Sequence, residues 1–580
     1  MLSAARHLYT GCVLAARLSE DPSKNVLLLE AGPEETALSY VPRLAALFTD
    51  STYDWKFETE KQKSCCQGAS EGRIKFPRGR VLGGTGAINF MIYTRGHPED
   101  FDDWARMGNE GWSYQDVLPY FKKSESIAVE KLADSGIHGL NGSMFVSEAE
   151  PTPLAELTLE AAKAAGYKIL REMTGTENGG LGLPLFASHD GVRQSGANAF
   201  LRPSMSRQNL HVVTDAHVTK ILIRNSTSSH PKAEGVEFLW TNGLKYTVKS
   251  ENEVVLSAGA ISSPQILMLS GVGPKDHLRE AGVPLVLDMP AVGQNMEDHT
   301  RTCVVYTLSS SVDGKPAKNY WEKSGILFHN AYKYFTSKKG LFAQPATESM
   351  GFFRTGVLNE STKQDIQINI FGSEDMYPML AMLDKFQVHS HENGYKPNEL
   401  LEVAKHYLYK QQSMLTGTII QLHPKSKGFI KLRSSDPLQP PIIDPQFGSS
   451  EEDIEVQAMG LRIFMNIIES EPFKQFGPKL LLSSTAGCVK SDAVIGELSD
   501  EQLRCIARRR LTTNFHHMST CRMGNDSRTS VVDSTLRVHG VLGLRVVDAS
   551  VFPGQISGNT NAPAMMVAER AADMIKKQYN

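Results

Sequence analysis

No glycine occurs among the first ten residues of this 580-residue chain, although the whole carries 47. Cysteine is scarce, seven in all, and none are spaced C-x-x-C. That excludes a zinc ribbon or a dense disulfide framework as the basis of the fold. No apolar run is long enough to cross a bilayer as a helix, so no transmembrane segment is expected. Neither charge sign is in excess: 61 basic against 64 acidic residues leave a formal net charge of −3. A nucleic-acid or anionic-membrane surface is therefore excluded as the principal partner. Clustered metal ligands at sensible spacing are also lacking, so no metal site is expected. N-x-S/T triplets stand at Asn141, Asn225, Asn359 and Asn525, which chance alone supplies in a chain this long.

What is present is a β–α–β pattern with an altered beginning. Residues 11–20 read as a helix and residues 25–32 as a strand that ends on Glu30. In a dinucleotide-binding unit an acidic residue there takes a ribose hydroxyl. Of the three fingerprint glycines only Gly11 remains, and Arg6 and Leu8 stand where the first two belong. The Ala-rich start favours a backward extension of the helix over a buried strand. The first strand of the sheet is therefore expected to be missing, and nucleotide binding to be weakened by the crowded turn.

Two further segments belong to the same kind of sheet. Residues 252–260 form an apolar strand running into the small-residue turn at Ala258, and residues 543–550 form another that ends on Asp548 and Ala549. Ligands of open α/β sheets sit at such carboxyl ends. The fold class is α/β: a discontinuous Rossmann-like domain built from residues 1–305 and 506–580. These parts flank an α+β domain, residues 306–505, whose alternating stretches 416–422 and 428–432 suit sheet strands.

Three segments carry chemistry. Residues 77–89 hold Arg80, Val81, Gly83, Gly84, Thr85 and Asn89. Small residues let backbone N–H groups approach a ligand there, and a phosphate or flavin cradle stands equal with a tight structural turn. His516 and His517 are adjacent; histidine is the natural base near neutral pH, although such a pair alone is more often structural. Residues 558–561, Gly-Asn-Thr-Asn, precede a helical stretch and place polar groups where developing negative charge is favoured.

Together with residues 93–96, 259–273, 292–299 and 423–428, these segments resemble, in order, the glucose–methanol–choline family of FAD-dependent oxidoreductases. The resemblance implies FAD, an alcohol substrate, and O₂ or a quinone as electron acceptor. It implies that Glu30 holds the adenosine ribose and that Val218 meets the adenine through its backbone. Arg80, Val81, Gly83, Gly84, Thr85 and Asn89 would line the pyrophosphate and flavin, with Gly11, Ala258, Phe515 and Thr560 alongside. Asp548 and Ala549 would close over the cofactor. His516 matches the catalytic base and Asn559 its partner. Ile88 falls where some choline-oxidising relatives carry a flavin-bonded histidine, so FAD would be held non-covalently. Glu348 reads either as a pocket carboxylate favouring a cationic alcohol or as half of a salt bridge. The altered start also admits a cofactor-impaired member of the fold that acts as a binding protein. A nicotinamide dehydrogenase would suit Glu30 but leaves the 77–89 loop and the C-terminal segments unexplained.

Overall fold

The computed structural model describes residues 2–4, 9–174, 179–226, 229–312, 320–358, 363–372, 413–490 and 498–579. One parallel sheet runs in the order β3 (Leu210–Val213), β2 (Val26–Leu29), β1 (Leu2–Ala4), β4 (Val254–Leu256), β9 (Leu544–Val546). Helices cover it: α1 (Tyr9–Leu18), α2 (Gly259–Leu269) and α4 (Asn561–Tyr579). Val254, Val255 and Leu256 are wholly buried, as expected of a strand covered on both faces. The first and last stretches of the chain thus share one Rossmann-like sheet.

The expectation that the first strand is missing is corrected. Leu2, Ser3 and Ala4 pair with Leu27, Leu28 and Leu29 on one side and with Val254, Val255 and Leu256 on the other. Helix α1 begins only at Tyr9. An empty central slot would leave the facing edges of β2 and β4 with unpaired backbone groups, at about 1–3 kcal/mol for each buried one. That outweighs the few tenths of a kcal/mol per residue by which a Leu-Ser-Ala stretch prefers helix. Arg6 and Leu8 lie outside the described residues.

A second, larger sheet is antiparallel at its centre. It contains β5 (Thr300–Leu308), β8 (Ser413–Gln421), β7 (Ile366–Gly372) and β6 (Thr347–Phe353) in that order. Lys479–Leu480 pairs with β5 at one edge, and Gly180–Gly182 and Lys168–Ile169 extend the other. The two-residue side-chain period sorts the faces. Tyr306 and Gly417 face helix α3 (Glu451–Ile468): a Cβ on Gly417 would lie 2.2 Å from the Phe464 ring, and the Tyr306 ring is 5.9 Å from it. The opposite face, with Cys303, Val305, Thr416 and Thr418, lines a cavity. Two disulfides that the spacing did not signal are formed, Cys65–Cys66 and Cys488–Cys505.

Candidate active site

At the carboxyl end of β2 the chain builds a cradle from close backbone approaches. A Cβ on Gly32 would lie 2.1 Å from the carbonyl of Arg80, and one on Gly79 would lie 2.4 Å from Gly84. Gly83 and Gly84 both have positive φ, 90° and 57°, which glycine alone adopts without strain. Glu30 is fully buried; Oε1 accepts from the Gly32 amide at 2.7 Å, whereas Oε2 has no partner. Burial pushes this carboxyl well above its ordinary range. Thr10, in the first turn of α1, likewise has a buried hydroxyl without a partner. Such orphans are rare in native proteins and mark where a ligand's polar atoms belong. An acidic oxygen for a ribose and a hydroxyl at a helix N-terminus fit FAD.

Val218 follows Ala216 onto the neighbouring strand His217–Ser226, and the Ala216 amide donates to the Glu30 carbonyl at 2.7 Å. Ala258 stands at the start of α2; its amide donates to Ser263 Oγ at 3.0 Å. Asp548 ties β9 to α2. Its carboxylate accepts from the Gly259 amide (2.8 Å), Ser263 Oγ (2.6 Å) and the Ser550 amide (2.7 Å). Asn89 is fixed by Arg193, whose Nη1 donates to both its carbonyl and its side-chain oxygen.

Beside this cradle lies a cavity of about 260 Å³. Of the sequence-predicted residues its wall includes Thr85, Asn89, Phe515, His516, Asp548, Ala549, Asn559 and Thr560. Gly11, Glu30, Arg80, Val81, Gly83, Gly84, Val218 and Ala258 are not in that wall. Glu348 is also outside it and accepts a hydrogen bond from Thr152, which caps helix Pro153–Ala164. Of the two readings of Glu348, the pocket carboxylate is not met in this wall.

His516 and Asn559 meet from different parts of the C-terminal region, Nε2 to Nδ2 at 3.0 Å. Asn559 Oδ1 accepts from Gln367 Nε2 (3.3 Å) and Thr94 Oγ1 (3.5 Å), which turns the amide nitrogen towards the histidine. Donation from that amide puts the lone pair on His516 Nε2 and the proton on Nδ1, which lies 2.9 Å from His299 Nδ1 and 3.3 Å from the Asn514 amide nitrogen. Burial, with help from His299 and Arg78, holds His516 well below its ordinary value, so the ring is neutral at physiological pH. His299 is pushed down to about 4 for the same reason. Asp298 lies beneath, accepting from the His516 amide (2.8 Å) and Thr513 Oγ1 (2.6 Å) and sitting 3.0 Å from His517 Nδ1. His517 stacks on Phe76 at 4.2 Å and is a packing residue. Asp100 holds the turn before Asn559 by accepting from the Ser557 amide (2.6 Å) and Ser557 Oγ (3.0 Å).

Sequence reading assigned no role to Thr10, Thr94, Asp298, His299 or Gln367. Residues 292–299 stood out as a pattern, but nothing in it singled out the last two. Thr94 and Gln367 act through contacts hundreds of residues apart in sequence, which carry no local signal.

Two family models, both described as GMC oxidoreductase, match residues 26–301 and 424–568. Among characterised relatives, glucose dehydrogenase (FAD, quinone) of Drosophila pseudoobscura pseudoobscura is 34% identical over 571 residues, covering 98% of this chain and 85% of its own. Mitochondrial choline dehydrogenase of Homo sapiens is 35% identical over 582 residues, covering 98% and 88%. Alcohol dehydrogenase (acceptor) of Pseudomonas putida is 34% identical over 575 residues, covering 98% and 94%. The crystal structure of pyridoxine 4-oxidase from Mesorbium loti superposes with a TM-score of 0.79 at 26% identity, covering 100% of this chain and 99% of that one. With the FAD cradle, the buried histidine and matches over nearly its whole length, the chain belongs to the GMC oxidoreductase family of FAD-dependent enzymes.

Proposed function

We propose that the enzyme oxidises an alcohol carbon, CH–OH, with His516 as general base and Asn559 as the group that holds the substrate oxygen. The observation that carries this reading is the fixed orientation of the pair. His516 Nε2 offers a lone pair beside the cavity, and Asn559 Nδ2 offers a donor 3.0 Å from it. Bound FAD supplies the acceptor for the hydride that an alcohol carbon loses on oxidation. Glu30, Thr10, the Gly32–Arg80 approach and the loop through Asn89 would hold it, and Ile88 offers no atom for a covalent link. His516 takes the hydroxyl proton on Nε2; His299 receives the Nδ1 proton's hydrogen bond and keeps that tautomer in place. Asn559 Nδ2 donates to the oxygen as negative charge develops there.

The names of the relatives, "FAD, quinone" and "acceptor", favour a quinone-like electron acceptor over O₂. Among the described residues nothing favours the cofactor-impaired reading: β1 completes the sheet, and Glu30 Oε2 and the Thr10 hydroxyl are buried without a protein partner. The test is anaerobic rapid mixing of the purified flavoprotein with primary alcohols. His516→Ala is expected to slow flavin reduction by about 10²–10⁴-fold. Undiminished reduction would overturn the assignment.

A further inference from the structure

One glutamine of the substrate sheet anchors two asparagines. Along β7 the side chains alternate: Ile366, Ile368 and Ile370 are wholly buried on one face, and Gln367, Asn369 and Phe371 share the other. Asn369 and Phe371 reach the cavity wall that also holds His516 and Asn559. Gln367 Nε2 has two hydrogens to give. It donates to Asn559 Oδ1 at 3.3 Å and to Asn369 Oδ1 at 3.0 Å; the Met350 sulfur, at 3.2 Å, is a weaker acceptor. Both asparagine oxygens are thereby turned to one donor, and both Nδ2 groups face away from it. Asn559 Nδ2 meets His516. Asn369 Nδ2 has no hydrogen-bond partner among the described residues, although the residue is only 4% exposed and lines the cavity. Buried donors without a partner are rare in folded proteins and call for a ligand atom.

The neighbouring strand supplies the complement. Thr418 of β8 stands directly opposite Asn369, and Cys303 of β5 completes the row. Thr418 also lines the cavity, and among the described residues its hydroxyl meets only the Cys303 sulfur, at 3.5 Å. Sulfur is a weak partner, so Thr418 Oγ1 keeps lone pairs to offer. Asn369 Nδ2 donates and Thr418 Oγ1 accepts. A hydroxyl, which accepts and donates at once, satisfies both; an ether oxygen satisfies the amide alone, and a methylene satisfies neither. Because both asparagine oxygens share one Gln367 nitrogen, they lie no more than about two hydrogen-bond lengths apart. A short chain whose second oxygen stands within about three carbons of the first bridges such a separation.

We infer that Asn369 and Thr418 form a second hydroxyl site: the preferred substrates are diols or polyols, with one hydroxyl held by His516 and Asn559 for oxidation and another held by this pair. This rests on the alcohol-oxidising reading above. Four alcohols of equal heavy-atom count test it: 1,2-propanediol, 1,3-propanediol, 2-methoxyethanol and 1-butanol. With the holoenzyme, kcat/KM is expected to fall from the better diol through 2-methoxyethanol to 1-butanol. Asn369→Leu is expected to lower the ratio of diol to 1-butanol kcat/KM by about 10- to 100-fold, mainly through KM, and to lower the 2-methoxyethanol ratio with it. Thr418→Val should lower the ratio of diol to 2-methoxyethanol by about 3- to 10-fold and leave that of 2-methoxyethanol to 1-butanol in place. Were Asn369 only a support for Gln367, all four alcohols would slow together and the ratios would hold. Calorimetry on dithionite-reduced holoenzyme, which cannot oxidise an alcohol, reads binding apart from turnover; the Kd of the better diol, relative to 1-butanol, should weaken in Asn369→Leu by a similar factor. A wild-type enzyme that prefers 1-butanol to both diols, or ratios of kcat/KM and Kd unmoved by Asn369→Leu, would overturn the inference while alcohol oxidation stands. If no alcohol reduces the flavin, the proposed function fails instead, and diol binding to the reduced holoenzyme still decides the role of Asn369.

Discussion

At the scale of single residues, a buried neutral histidine is held between the Asn559 amide and a second buried histidine, His299. Because burial and the neighbouring cationic groups lower the His516 pKa well below 6.5, its base form persists as pH falls. The rate of flavin reduction should therefore stay level from neutral pH down through 6.5 and decline only in more acidic solution. Rapid mixing across a range of about pH 5 to 8 checks this; an inflection at or above 6.5 would show that a less buried group limits the rate. Ile88 is buried in the cavity wall and has no atom that could bond a flavin. Acid precipitation should leave a colourless pellet and release all the flavin to the supernatant. The proposed base, His516, stood out in the sequence only through the family resemblance of its segment. Its tautomer was not legible there, since Gln367, Thr94 and His299 arrive from three distant segments.

At the scale of elements, the entry into the Rossmann sheet shows how tertiary demand overrides local preference. Three residues of weak strand character occupy the central slot because two neighbouring strands need partners there. The cradle beyond them depends on backbone contact rather than side chains. Gly32→Ala would drive a methyl group into the Arg80 carbonyl, 2.1 Å away. Overpacking of this kind costs about 1–3 kcal/mol, so the variant should show a lowered Tm and a reduced flavin-to-protein ratio by absorbance. In sequence, Arg6 and Leu8 stand where fingerprint glycines occur in dinucleotide-binding units. Replacing both, Arg6→Gly with Leu8→Gly, should tighten FAD binding in a fluorescence titration of apoprotein; an unchanged Kd would show that these side chains leave the pyrophosphate path clear.

At the scale of the whole molecule, the chain's two ends close on each other. Arg17 of α1 donates three hydrogen bonds to Glu569 of α4, which is wholly buried and also lies 3.5 Å from Lys123. In the same sheet, Arg545 of β9 pairs with buried Glu253 at 2.9 Å, just before β4. These pairs fasten the C-terminal region, which carries His516 and Asn559, to the N-terminal cradle. Arg17→Met would leave the Glu569 carboxylate buried with a single distant cation. Breaking a buried pair in this way costs about 3 kcal/mol. Thermal unfolding should register the loss as a lower Tm, with flavin release advancing to the same temperature.

The sequence by itself determined the α/β class from local patterns, and the oxidoreductase family and its cofactor through the resemblance that several of those patterns carry in order. The glycines at 83 and 84, Glu30 at the end of an apolar strand and the 558–561 turn each report on their own neighbourhood. The tertiary structure decided what depends on register and on contacts between distant segments. It filled the central strand with Leu2–Ala4, set Glu348 beside Thr152, and set Arg301 in the cavity wall in the same row as Gln367. The physical reason is the two-residue period of a strand. A shift of one residue in β5 would bury Arg301 against α3 and face Thr302 to the substrate, and only the pairing of whole strands excludes that arrangement.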